Sequence, residues 1–264
     1  MILTLLAATA LAQSATPAPA AAPAPGNGLA QCIALARTDP ERAIETAAAW
    51  RVDGGGIDAR QCLGLAYTQL ERWEAAGNTY EEAAREAAVA EDPRRADLLV
   101  QSGNAWLAGG LPARALTLFD EALRETALAA ELRGEIHVDR ARALVAMNNL
   151  PGARIDLDRA GELVPDDAFV WYLSSALAQR EGNLVRAQAD ISRARTLAPE
   201  DPDIMLQAGT IAGLAGNPGE AERLYREVVR IAPTSDAAGQ ARESLGTLAP
   251  EAPAAPAPTA AQPQ

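Results

Sequence analysis

The 264-residue chain has no lysine, a single histidine (His137), two cysteines and only two phenylalanines. With one imidazole, neither a His-x-x-x-His zinc site nor a cluster of histidine ligands can be assembled, and a Ser-His-Asp arrangement would have to be built on His137. All positive charge is arginine, the formal net charge is −12 and the pI is about 4.6. The chain therefore lacks the basic stripe that neutralises phosphates, which argues against nucleic acid as a partner. No GxxxxGK[ST] or GxGxxG loop follows a strand, no segment reads as a strand, and no CxxC is present. Acidic residues stand beside arginine along helix faces, as in Glu41-Arg42, Glu81-Glu82-Arg85 and Glu220-Glu222-Arg223-Arg226, the pattern of a solvated surface. No catalytic residue, cofactor or metal is expected, and His137 reads as a half-buried structural histidine.

What the chain does have is a period. Pro165, Pro199 and Pro233 stand 34 residues apart, and Ala153, Ala187 and Ala221 share the spacing. So do Leu157, Ile191 and Tyr225, and then Ala160, Ala194 and Val228. Within each unit a small residue is followed four later by a large apolar one and three later by another, which is one stripe on a helix. A second helix fits upstream. In the fourth unit it carries Trp171, Ser174, Ser175 and Ala178, with Asp166 or Asp167 as N-cap and Gly182 as a left-handed terminator. Small residues facing one another let two antiparallel helices approach closely, so each unit is a helical hairpin.

A 34-residue helical hairpin of this kind resembles the tetratricopeptide repeat (TPR), with its W-x2-L-G-x2-Y, A-x3-F and P landmarks. Leu63, Gly64, Tyr67, Ala76, Tyr80 and Ala83 match one unit, and Gly103, Trp106, Ala115, Phe119 and Ala122 the next. Ala141, Leu144, Ala153, Leu157, Ala160 and Pro165 form the third, Trp171 to Pro199 the fourth, and Met205, Gly209, Ala221, Tyr225 and Pro233 the fifth. The resemblance implies an all-α fold, a right-handed superhelical solenoid of antiparallel helix hairpins without a β-sheet. The units expected are 57–95, 96–133, 134–167, 168–201 and 202–235, preceded by a partial repeat at 29–56 and followed by a capping helix at 236–248 whose N-cap is Ser235. The first two steps are longer, 39 and 38 residues. A longer helix around Glu81 to Ala90, and another around Glu121 to Ala130, would absorb them.

The ends read differently. Residues 1–12 form a short apolar run closed by a small-x-small site, as in a secretory signal, although no Lys or Arg precedes the run. Residues 13–28 and 249–264 are Ala/Pro-rich and poor in large side chains, so they read as a linker and a disordered tail. No other segment is long and apolar enough to span a membrane. The expected location is the periplasm.

A TPR stack binds polypeptide segments on the face lined by the first helix of each hairpin. The resemblance places Asn104, Leu107, Val138, Arg142, Phe169, Tyr172, Gln179, Arg180, Leu206 and Thr210 on that face, with Gln61, Leu65, Thr68, Val100, Val145 and Leu214 at further such positions. Apolar anchors with a few polar hooks suit a protein or peptide partner. The chaperone-binding class that clamps a carboxylate is not matched: Asn104 stands at its Asn position, but Val100 replaces the Lys. The same stacking sets Cys32 and Cys62 on neighbouring first helices, within reach of a disulfide; the other reading is two small buried hydrophobes. The expected function is a non-catalytic scaffold in the periplasm that holds a partner in its groove, with a structural subunit of a cell-envelope complex for wall synthesis, division or outer-membrane assembly as the alternative.

Overall fold

The computed structural model describes residues 28–248, which form thirteen helices and, among the described residues, no strand. The expected signal segment and the tail from residue 249 lie outside them. The chain divides into two compact units, one ending at Asp92 and one beginning at Pro93.

The first unit consists of α1 (Gly28–Thr38), α2 (Pro40–Val52), α3 (Gly56–Gln69) and α4 (Trp73–Ala90). The Asp39 side chain accepts from the Arg42 amide at 3.2 Å and Pro40 occupies the first turn, so α2 starts where a proline costs no hydrogen bond. Gly54, at φ 87°, ends this hairpin. Helix α3 packs on both α1 and α2 and pairs with α4. Its core gathers Cys32, Ala47, Cys62 and Leu63, with Ile44, Trp50 and Tyr67 against them.

The second unit consists of α5 (Arg95–Ala108), α6 (Pro112–Ala122), α7 (Ala130–Ala146), α8 (Leu150–Leu163), α9 (Ala168–Arg180), α10 (Leu184–Leu197), α11 (Pro202–Leu214), α12 (Pro218–Ile231) and α13 (Asp236–Leu248). Consecutive helices pair as α5/α6, α7/α8, α9/α10 and α11/α12, and α13 lies on α12 and α11. Ser235 Oγ accepts from the Ala238 amide at 3.1 Å, and Ala237, Ala238 and Ala241 are buried.

Each hairpin from α3/α4 to α11/α12 repeats the same three solutions. The first is a left-handed residue between its helices: Glu71, Gly110, Asn148, Gly182 and Gly216, at φ 55°, 77°, 59°, 74° and 80°. The residue after each of them donates its amide to a carbonyl five residues back, for example Asn183 to Ala178 at 2.8 Å, which closes the first helix in a Schellman motif. In the last three hairpins that next residue is an asparagine that also caps the second helix, Asn149, Asn183 and Asn217 accepting from the Gly152, Arg186 and Glu220 amides.

The second is a matched pair across the hairpin. Gly64 faces Tyr80, Gly103 faces Phe119 and Gly209 faces Tyr225, and a Cβ on these glycines would come within 2.7, 2.5 and 2.6 Å of the ring. Where the partner is aliphatic the small residue gains a side chain: Ala141 shares a core cluster with Leu157, and Ser175 holds the same repeat position in the hairpin of Ile191. Summed volume across the contact stays nearly constant. The third is a pair of fully buried small or β-branched residues on each second helix, Ala76/Ala83, Ala115/Ala122, Ala153/Ala160, Ala187/Ala194 and Ala221/Val228.

The two long steps are taken up in different ways. Helix α4 is 18 residues long and runs to Ala90. The longer helix expected around Glu121 to Ala130 does not form. Helix α6 stops at Ala122, the Arg124 and Glu125 amides bond only three residues back to Glu121 and Ala122, and α7 begins at Ala130. Glu121 and Glu125 both engage Arg95 of α5.

Candidate partner-binding groove

In the second unit the first helices α5, α7, α9 and α11 carry the residues expected to face a partner, and hydrogen bonds join α5 to α7 and α9 to α11. Asn104 Nδ2 on α5 donates to Asp139 Oδ2 on α7 at 2.7 Å, and Asp139 Oδ1 accepts from Arg142 at 2.8 Å. Gln207 Nε2 on α11 donates to Gln179 Oε1 on α9 at 2.7 Å. The Asn104 amide is thus bonded to a carboxylate of the chain itself. Phe169 and Tyr172 stack with ring centroids 6.0 Å apart, and Phe169 is 47% exposed. Burial, then the neighbouring Asp203 and Asp201, push the Tyr172 hydroxyl above its ordinary pKa.

Some expected positions turn inward. Val138 is buried at 5% exposure among Ala160 and Val170, so it is withdrawn from the surface. Leu206 packs against the core beneath it. These two share a cause: the fifth position of the repeat lies at the margin of the hairpin core, and an aliphatic side chain there is drawn in. Thr210 is half-buried for a different reason, its hydroxyl donating to the Leu206 carbonyl and accepting from Tyr225. Leu107 is half-buried, and Leu214 is 54% exposed.

Arg142, Val145 and Arg180 are brought together. They line a pocket of about 250 Å³ with Ala141, Leu157, Leu173, Ala176 and Leu177, from α7, α8 and α9. The pocket exists because Ala176 stands where α5 has Asn104, α7 has Arg142 and α11 has Thr210. Repeat positions alone do not single out Ala176, Leu173 or Leu177, yet a small residue at a position that is large in neighbouring repeats is a readable signal for a cavity. Toward the start of α7, Glu135 lies near the charges of Asp139, Asp167 and Asp97. Burial first, then these three charges, raise its carboxyl pKa.

Two aspartates also depart from the expected solvated surface. Asp156 and Asp190, 34 residues apart, are 1% and 8% exposed. Asp156 accepts from Arg140 Nε at 2.8 Å and lies 2.8 Å from His137 Nδ1. Asp190 accepts from Ser174 Oγ at 2.6 Å and Arg186 Nε at 3.3 Å. Arg140 and Ser174 are themselves 34 residues apart, so in both hairpins the same position of the first helix donates to the buried aspartate of the second. Arg140 also reaches Asp120 of the preceding hairpin at 2.9 Å, and Arg186 reaches Asp158. His137 is therefore a member of a buried structural network. Among the described residues no group of His, Cys, Asp or Glu is placed to hold a metal ion, and no helix is long and apolar enough to cross a membrane.

In the first unit Cys32 on α1 and Cys62 on α3 are joined as a disulfide, with Cα atoms 5.8 Å apart.

No family model matches the sequence, and no curated protein matches it. Solved structures do match. PilW, described as a widely conserved type IV pilus biogenesis factor, is similar over 83% of this chain and 97% of its own, at 18% identity and a TM-score of 0.65. PilF of Pseudomonas aeruginosa is similar over 81% and 96%, at 17% identity and a TM-score of 0.63. YrrB, described as a TPR protein with an unusual peptide-binding site, is similar over 70% and 91%, at 20% identity and a TM-score of 0.51. The chain has the all-α solenoid fold of the tetratricopeptide-repeat proteins.

Proposed function

We propose that this protein is a non-catalytic interaction scaffold that binds a polypeptide segment along the first helices, α5, α7, α9 and α11, of its second unit. The observation that carries the reading is the apolar pocket between α7 and α9, open beside Arg142 and Arg180 and accompanied on α9 by the Phe169–Tyr172 stack. An apolar concavity beside guanidinium groups, with an exposed aromatic stack on the same helix, suits the anchor of a peptide interface. The YrrB neighbour, with its peptide-binding site, supports the reading.

The scaffold is proposed to work in the periplasm. The bonded Cys32–Cys62 pair suits an oxidising compartment, and the apolar run at residues 1–12 suits export. The pilus biogenesis neighbour favours, as a second reading, a permanent subunit of a cell-envelope assembly.

Site-specific photo-crosslinking tests the groove. A crosslinker at Tyr172 or Leu107 is expected to capture a discrete protein in the native cell, and one at Ile155, 69% exposed on α8, is not. Equal capture from all three positions, or none from Tyr172 and Leu107, would remove the groove. Recovery of the protein in the cytoplasmic fraction with free thiols would remove the export reading.

A further inference from the structure

The α7–α9 pocket has a chemistry that narrows the partner, given the reading of this face as a polypeptide-binding surface, on which the assignment rests. At about 250 Å³ the pocket is smaller than the roughly 300–1,000 Å³ that encloses a small molecule, so it has room for a side chain rather than a cofactor. Its floor and walls are Ala141, Val145, Leu157, Leu173, Ala176 and Leu177.

Two arginines stand with them. In a chain with 35 acidic residues against 23 basic ones, guanidinium groups find carboxylates readily. Arg95, Arg140, Arg154 and Arg186 each engage at least one across helices. Among the described residues Arg142 is paired with Asp139 alone, and it keeps nearly half of its side chain exposed. Arg180, the last residue of α9, is exposed and has no ion-pair partner among the described residues. Positive charge on this face is therefore concentrated beside the pocket. Glu135, Asp167 and Asp97 make the face acidic toward the starts of α7, α9 and α5, with Asp139 between them and Arg142.

We infer that the pocket takes a leucine- or phenylalanine-sized side chain from a partner polypeptide, and that an adjacent Asp or Glu of the partner rests on Arg180 and Arg142. The apolar anchor supplies affinity by leaving water, and the carboxylate supplies selectivity through a charge-assisted hydrogen bond. The acidic end of the groove repels the same carboxylate, so the two charges together set where the segment sits.

Three fluorescein-labelled, amidated nonapeptides test this by anisotropy at about 0.15 M salt, where the Debye length is near 8 Å. One has a leucine between two glutamates, one a leucine between two lysines, and one a serine between two glutamates. The net charge of −12 draws in the lysine peptide at long range, so preference for the glutamate–leucine peptide has to come from the pocket. That peptide is expected to bind about tenfold more tightly than either control. Combining Arg142→Glu with Arg180→Glu is expected to invert the ranking of the two leucine peptides, and Arg142→Gln with Arg180→Gln to remove the preference for glutamate. Both side chains are exposed, so unchanged melting is the check that the fold is kept.

Equal affinities, binding by none of the three, a lysine preference in the unaltered protein, or a ranking that ignores the charge reversal would overturn the inference. If crosslinking from Tyr172 still captures a protein, only the pocket assignment falls; if it does not, the groove reading falls as well.

Discussion

At the scale of the residue, the hairpin turns set the clearest constraint. Glycine adopts the left-handed conformation at little cost and asparagine tolerates it, and Gly110, Asn148, Gly182 and Gly216 obey that preference. Glu71 does not: it sits at φ 55° with a full side chain in the same Schellman motif. Replacing Glu71→Gly should stabilise α3/α4 by about 1 kcal/mol, and Gly182→Ala should cost about as much, both read from urea unfolding. The buried aspartates are the second case. Asp156 meets His137 and Arg140 away from water, so Asp156→Ala leaves the imidazole without its acceptor and Arg140 with Asp120 alone, and should cost about 2 kcal/mol, measured the same way. The reasoning that places acidic residues on a solvated face fails for these two, because Asp156 and Asp190 stand three residues after Ala153 and Ala187 and four before Ala160 and Ala194, on the same buried stripe. That placement was legible in the sequence. Their partners were not, since His137 and Arg140 lie on a different helix and only the crossing geometry joins them.

At the scale of the element, the hairpin contact explains why glycine and aromatic residues occur together. Gly103 lies under Phe119, so Gly103→Ala gains helix propensity of about 1 kcal/mol but forces the ring aside, for a net cost of about 1–2 kcal/mol. Adding Phe119→Leu recreates the Ala141/Leu157 pairing and should recover part of the loss; a double-mutant cycle with no coupling would contradict the volume match. Along the acidic end of α7, the Glu135 carboxyl pKa is raised in the fold by burial and by Asp139, Asp167 and Asp97. The folded state then holds more protons than the unfolded chain just above the ordinary glutamate range. Stability from this group is present at lower pH and is lost as pH rises through that window. Glu135→Gln should raise stability at pH 7 by a few tenths of a kcal/mol, screening having reduced the effect at this exposed site, and the gain should vanish by about pH 4. Helix pairing was readable from the 3.6-residue stripes, whereas the early end of α6 was not, since no Gly or Pro marks it.

At the scale of the whole molecule, the repeat period carried the fold, because every hairpin must bury the same stripe against its neighbour. The site was only partly legible. Tyr172, Gln179, Arg142 and Arg180 follow from repeat position, while the pocket follows from what Ala176 lacks and from how α8 brings Leu157 to it. The first unit has a different source of stability. The buried residues of its α1 and α2 are small, Cys32 and Ala36 on one and Ala43, Thr46 and Ala47 on the other, and the larger Leu29, Leu35, Ile44 and Trp50 that pack on them are only partly buried. The Cys32–Cys62 bond supplies the missing constraint by closing a 30-residue separation, which in the chain-entropy account stabilises by roughly 3–4 kcal/mol. Reduction, or Cys32→Ala with Cys62→Ala, should therefore lower the unfolding free energy of α1–α4 by that order, seen as faster hydrogen exchange across α1, α2 and α3. The protection of α9–α12 should stay the same, since the core cluster they form includes neither cysteine. Unchanged exchange in α1 after reduction would mean that the small-residue core of this hairpin is sufficient by itself.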